Sequence, residues 1–186
     1  MSAYKVHTYD TAPAASRETL NTIQNVMGFV PNMLGVFAES PAVLKGSFAL
    51  FGALGKGSLN DIEQQIVAIT ISRENSCHYC VAAHSTFATM ANISASLLEA
   101  ARTGAPFDDE RLEALRSTTL KLLFSRGWLS TKDQQLFFAA GYSKEQLLEV
   151  IAWIGLKTLT NYINHVSNTP VDTQFERQSW ARDKAA

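Results

Sequence analysis

Cys77 and Cys80, with His84 one helical turn further on, carry the chemistry most plainly written in this chain. They lie in Ser76-Cys77-His78-Tyr79-Cys80-Val81-Ala82-Ala83-His84-Ser85, and they are the only two cysteines among 186 residues. Thiols three residues apart on a helix share a face and can close a disulfide with little backbone movement. A histidine four residues after the second thiol lies over the same face, with Cβ atoms about 5–6 Å apart. Its imidazole can take a thiol proton directly or through one water. The trio reads as a redox dithiol with a base beside it. Two other readings compete. A zinc site needs four ligands, usually as two pairs; His165 is the only candidate for a fourth, and no second pair exists. Two ordinary buried thiols are the plainer alternative. Which thiol attacks stays open on physical grounds. Cys77 sits at a helix start, where free N–H groups and the dipole lower a thiol pKa, whereas Cys80 faces His84.

Other residues in reach are weaker candidates. Tyr79 can donate its hydroxyl to a leaving oxygen or simply pack. His78 reads equally as a surface histidine. His165 and Asn161 echo the Cys80-to-His84 spacing, and His7, near the N-terminus, carries no functional signal. Gln65 falls on the stripe of Ile62, Ile66 and Ile69, so a polar amide points at the core or at a pocket and needs a partner there.

The elements that must position these residues are helices. Ala14 to Met27 is amphipathic and stopped by Gly28. Pro31 and Pro41 read as first-turn prolines, the second behind Ser40 as N-cap. Leu59 to Arg73 is apolar around most of its circumference, which predicts a buried helix. A break at Asn75-Ser76 precedes a helix opened by Cys77. Further helices are expected over about 94–102, 108–126 and 130–140, and a last one from Ser143 to about Val166. No alternating strand pattern is present, so the fold is expected to be all-α, with short connections and antiparallel neighbours. One domain over 1–168 and a polar tail over 169–186 are expected. A faint internal echo relates Glu63-Gln64 and His84 to Glu145-Gln146 and His165, as if two helix pairs were repeated.

A chain this long buries roughly 70% of its unfolded surface, so its core needs neither metal nor disulfide. With 16 basic and 17 acidic residues and no basic block, a nucleic-acid partner is not expected. No apolar run reaches spanning length, and no secretory signal is visible near Met1 to Leu20, so a cytoplasmic protein is expected. In a reducing compartment, a lone Cys-x-x-Cys is more often catalytic or metal-binding than structural. Large apolar residues in the first third (Phe29, Met33, Phe37, Phe48 and Phe51) are expected to leave a patch that a second copy covers.

The run Gln65-Ile66-Val67-Ala68-Ile69-Thr70-Ile71-Ser72-Arg73-Glu74-Asn75-Ser76-Cys77-His78-Tyr79-Cys80-Val81-Ala82-Ala83-His84 resembles the carboxymuconolactone decarboxylase superfamily, in its alkylhydroperoxidase D-like branch. Gly28-Phe29-Val30-Pro31-Asn32-Met33 and Leu156 to His165 resemble it more softly. The resemblance implies an all-helical fold that assembles as trimers, hexamers or dimers, and a cofactorless thiol peroxidase acting on hydroperoxides. It implies that Cys80 becomes the sulfenic acid, that Cys77 protonates the leaving oxygen and then resolves the intermediate into a disulfide, and that His84 joins the proton relay. An external dithiol, such as a lipoylated or thioredoxin-like protein, would restore the thiols. Lactone decarboxylation and a redox-responsive binding role are the alternatives. The chain departs from the family pattern at two places. Gln65 stands where the family has a glutamate, and an amide cannot act as a base. Tyr79 stands where the best-known member has histidine. Glu63 lies on nearly the opposite helix face and is a poor substitute. Restoring a carboxylate at position 65 is therefore expected to raise thiol reactivity.

Overall fold

The computed structural model describes residues 4–182. Those residues form nine α-helices, one 3-10 turn and no strand. The helices are α1 Ala14–Met27, α2 Asn32–Phe37, α3 Pro41–Leu54, α4 Asp61–Glu74, α5 His78–Met90, α6 Ala95–Thr103, α7 Glu110–Phe124, α8 Thr131–Ala139 and α9 Lys144–Ser167, with the 3-10 turn at Glu176–Gln178.

Helix α4 is the axis of the fold. It packs against α5, α6, α7 and α9, and Ile66, Val67, Ala68, Ile69 and Ile71 are wholly buried. A helix enclosed on every side must be apolar on every side, which is how its sequence reads. Its start is fixed by a capping box in which Asn60 accepts from the Glu63 N–H and Glu63 accepts from the Asn60 N–H. Glu63 also pairs with Arg111 and so belongs to the scaffold, away from the thiols. The α4–α5 junction is tight. Ser76 adopts φ 56°, a left-handed conformation that costs an L-residue roughly 1–2 kcal/mol, and the Cys77 N–H then returns to the Ser72 carbonyl at 2.8 Å. This reversal lays α5 back along α4 and puts Cys77 at the N-cap of α5.

Helix α9 runs unbroken for 24 residues, from a Ser143–Gln146 capping box to Asn168 at φ 48°. The suspected repeat therefore does not exist as two helix pairs. Glu63 and His84 sit on two helices joined by the Ser76 turn, whereas Glu145 and His165 share one continuous helix. Nothing in α9 matches the left-handed Ser76 that breaks the first pair.

Two further expectations change. Residues 169–182, read as a tail, fold back on α5: Arg102 donates to the Gln178 and Ser179 carbonyls, and Arg182 reaches Glu74 and Ser76. The apolar residues of the first third face inward. Phe37 is buried, and Met33, Phe37, Phe48 and Phe51 line a cavity at the thiols, while Phe29 packs on Phe175. Among the described residues, no helix is long and apolar enough to cross a membrane.

Candidate active site

The thiols lie where α5, α9 and the returning C-terminal segment meet. Both are buried and reduced. They are not equivalent. Cys80 lines a cavity of about 60 Å³; Cys77 does not. About 10–15 Å³ of such space holds one water, so the cavity has room for a small organic molecule beside the Cys80 sulfur. Its walls are mostly apolar, with Phe37, Phe48, Phe51, Phe87 and Phe175 contributing rings.

Four polar groups from α5 and α9 converge on the sulfurs. Cys77 donates its S–H to Cys80. Asn164 donates its amide to Cys80 at 3.4 Å and, more weakly, to Cys77 at 3.8 Å. The Thr160 hydroxyl lies 3.9 Å from Cys80. Lys157, only 3% exposed, lines the same cavity as Cys80, and its charge acts on that sulfur. The bond Cys77 gives to Cys80, together with burial, pushes the Cys77 thiol far above its ordinary range. Burial pushes Cys80 upward too. The bond from Cys77 and the Lys157 ammonium outweigh it and hold Cys80 well below the ordinary thiol value. One thiol is thus kept protonated so that the other can ionise.

His84 is where spacing predicted, but its ring does not point a free base at the sulfurs. Nε2 lies 2.8 Å from Lys157 Nζ, and Nδ1 lies 2.8 Å from Gln65 Oε1. An ammonium has donors only, so Nε2 must accept; Nδ1 then carries the proton and donates to the Gln65 oxygen. Burial, and then the Lys157 charge, push the His84 pKa well below its usual value, so the ring is neutral. Phe87 and Trp153 wall it edge-on at 5.8 and 6.0 Å.

Gln65 acquires a physical reason here. An amide oxygen accepts from neutral imidazole without drawing a second proton onto it. A glutamate at this position would favour imidazolium, whose Nε2–H would face the Lys157 ammonium. This geometry argues against the expectation that a carboxylate at 65 activates the thiols, because a carboxylate there would compete with Cys80 for the Lys157 charge.

Tyr79 is also committed elsewhere. Its hydroxyl donates to Asp172 at 2.5 Å and accepts from the Met33 N–H at 3.3 Å, so it does not offer a proton to a leaving oxygen. Burial, and then the Asp172 carboxylate, raise its pKa. Tyr79 instead ties α5 to the returning segment, whose Phe175 packs edge-on against Tyr79 and Phe87. His78 is exposed and meets the Trp180 carbonyl at 3.0 Å. His165 is exposed and stacks on Tyr162, far in role from a fourth metal ligand. Asn161 is buried and bonds Asn75 and Ser72, holding the α4 end against α9. Among the described residues, no cluster suited to a metal ion occurs. Sequence reasoning missed Lys157, Thr160, Asn164, Asp172 and Phe175. The first three alternate with Asn161 and Leu156 on the buried face of α9, a pattern that reads as ordinary amphipathicity.

Residues 41–119, which hold Gln65, both cysteines and His84, match the sequence profile of the carboxymuconolactone decarboxylase family. Over that stretch the chain is similar to the carboxymuconolactone decarboxylase family. No curated protein is similar enough to count as a match. Its fold is similar to the alkylhydroperoxidase AhpD core of an uncharacterized peroxidase-related protein from Ralstonia eutropha JMP134, with a TM-score of 0.82 at 22% identity over 94% of each chain. A peroxidase-related protein from Silicibacter sp. TM1040 is similar at TM-score 0.79 and 20% identity, over 94% of this chain and 93% of that one. The debrominase Bmp8, in complex with 2,3,4-tribromopyrrole, is similar at TM-score 0.72 and 17% identity, over 96% of this chain and 97% of that one. Lys157 and the returning segment lie outside the residues that match the carboxymuconolactone decarboxylase profile.

Burial and the adjacent Lys157 charge favour the neutral His84 ring, whereas an ordinary histidine titrates between about pH 5 and 8. Proton NMR of the His84 ring should show a flat response over that range in the wild type. Gln65→Glu should bring a titration into it, because a carboxylate favours the imidazolium form. A wild-type His84 that titrates near its ordinary value contradicts this arrangement.

Proposed function

We propose that this protein is a dithiol oxidoreductase that reduces hydroperoxides, with Cys80 as the attacking thiolate and Cys77 as the resolving thiol. The observation that carries this reading is the asymmetry of the pair: the Cys80 sulfur borders the cavity and is stabilised as an anion, while Cys77 sits behind it as a protonated donor. The thiolate attacks the terminal oxygen of R–O–O–H. An S–O bond forms, the O–O bond breaks, and the leaving alkoxide takes up a proton. Cys77 then attacks the sulfenic sulfur, closing the disulfide and releasing water. Peroxide gains two electrons and the thiols lose two. An external dithiol, a lipoylated or thioredoxin-like protein, returns them. The catalytic set is Cys80 and Cys77, with His84, Gln65 and Tyr79 as positioning residues.

The test is reductant-dependent consumption of an organic hydroperoxide, with intact mass followed in parallel. The wild type should lose two protons per chain, reversibly with dithiothreitol. Cys77→Ser should leave a trappable sulfenic acid on Cys80, and Cys80→Ser should be inactive. Two thiols that persist after stoichiometric peroxide exclude the reading.

A second reading draws on the aromatic walls of the cavity. A flat ring fits them, and the same dithiol can replace an aromatic C–Br bond by C–H, with disulfide and HBr as the other products. The structurally similar debrominase supports including 2,3,4-tribromopyrrole as a parallel substrate, with bromide release as the readout. Faster turnover of the bromopyrrole than of any hydroperoxide favours this second reading.

The protein acts as a homo-oligomer in either case. Support comes from α9, whose outer face exposes Leu148, Ile151, Leu159, Tyr162 and Val166. Light scattering at micromolar concentration should give a trimer or hexamer mass, reduced in Leu159→Glu. A monomer mass for the wild type contradicts it.

A further inference from the structure

Lys157 is the one charged side chain among the residues lining the thiol cavity. It is 3% exposed, and among the described residues no carboxylate forms an ion pair with it. Facing it are Cys77, Cys80 and His84 from α5, Gln65 behind His84 from α4, and Thr160 and Asn164 from its own helix; Asp172 is held off by Tyr79. A buried ammonium is costly unless it is paired, and the neutral His84 ring supplies a hydrogen bond but no counter-charge. Of the two thiols that face it, Cys80 is the one that shares the cavity lining with Lys157.

We propose that Lys157 is a catalytic residue: its buried ammonium is the counter-ion that holds Cys80 as a thiolate and the acid that gives its proton to the oxygen leaving the peroxide. This rests on the hydroperoxide reading above. It also accounts for Gln65. A site that stores its reactive thiol as an ion pair needs no carboxylate base to ionise it.

The proton balance closes. At rest the site holds Cys80 S⁻, Cys77 S–H and Lys157 –NH₃⁺. When the S–O bond forms and the O–O bond breaks, the alkoxide takes a proton from Lys157 and leaves as alcohol. The amine is now neutral. Condensation of the sulfenic acid with the Cys77 thiol gives disulfide and water with no net proton change. When the external dithiol re-reduces the pair, the Cys80 thiol proton passes to Lys157 and the ion pair is restored. His84 Nε2, 2.8 Å from Nζ, keeps the ammonium aimed throughout.

The test uses Lys157→Met, which keeps the length and apolar stem, and Lys157→Arg, which keeps the charge but cannot release a proton near neutral pH. Two readouts are taken on full-length protein: ultraviolet thiolate absorption against pH without peroxide, and the rate constant for oxidation by an organic hydroperoxide. The wild type should show one thiolate from below neutral pH. Lys157→Met should lose it at neutral pH and slow by about 10²-fold or more. Lys157→Arg should keep the thiolate yet remain slow, which separates the acid role from the charge. Thermal melts identify a variant that fails to fold, and His84→Leu, which removes the ring that aims Lys157 while leaving the charge, then serves as the second variant: it should retain the thiolate and lose rate. Unchanged thiolate titration in a folded Lys157→Met overturns the proposal while leaving the peroxidase reading intact. A wild type with the expected thiolate that forms no disulfide with any hydroperoxide sinks the reading instead, and with it the acid role.

Discussion

A buried lysine ammonium that no carboxylate among the described residues pairs with is the constraint around which this site is organised. Lys157 has a bond to neutral His84 on one side and the Cys80 sulfur on the other. Removing a charge from water costs several kcal/mol unless a partner compensates. Every neighbouring polar group is arranged to make Cys80 that partner. Cys77 gives it a hydrogen bond, Asn164 donates to it, and Gln65 fixes the histidine tautomer that leaves Nε2 free to accept from Lys157. Burial, and then the same charge, hold His84 neutral, and the neutral ring suits the amide of Gln65.

The scaffold serves this arrangement in a direct way. Buried α4 aligns two helices that otherwise have no reason to meet: α5 by the left-handed turn at Ser76, and α9 by long side-by-side packing around Trp153. Asn161 locks the end of α4 to α9 one turn away from Lys157 and Asn164. The Tyr79–Asp172 bond then draws residues 170–182 over α5, and Phe175 closes the cavity wall. Rigidity at the sulfurs thus comes from three separate parts of the chain.

Much of this was legible in sequence, for identifiable reasons. Helix starts at Ser40, Ser130 and Ser143 follow from side chains that accept backbone N–H groups, a local effect that needs no tertiary knowledge. The Cys77, Cys80 and His84 face follows from helical spacing alone. Lys157 did not stand out because its meaning depends on a partner 73 residues earlier, and one lysine in an amphipathic helix is ordinarily solvated. Asp172 and Phe175 were hidden in a polar stretch whose docking rests on Tyr79 and Asn32, far upstream. Gln65 was found by its place on an apolar stripe, but its bond to His84, and through that ring to Lys157, depends on helices that spacing alone does not bring together. Met33, Phe37, Phe48 and Phe51 were read as apolar surface, and they also line the cavity.

The central claim is that the two thiols are held in opposite protonation states, with the negative charge on Cys80. Limited alkylation by substoichiometric iodoacetamide in mildly acidic buffer, followed by peptide mapping, reads this directly, because only the thiolate reacts and the reagent is small enough for the cavity. The account predicts label on Cys80 in large excess over Cys77, with the preference persisting as pH falls below the range where free thiols react. Label that favours Cys77, or that divides evenly between the two sulfurs in the folded protein, would contradict it.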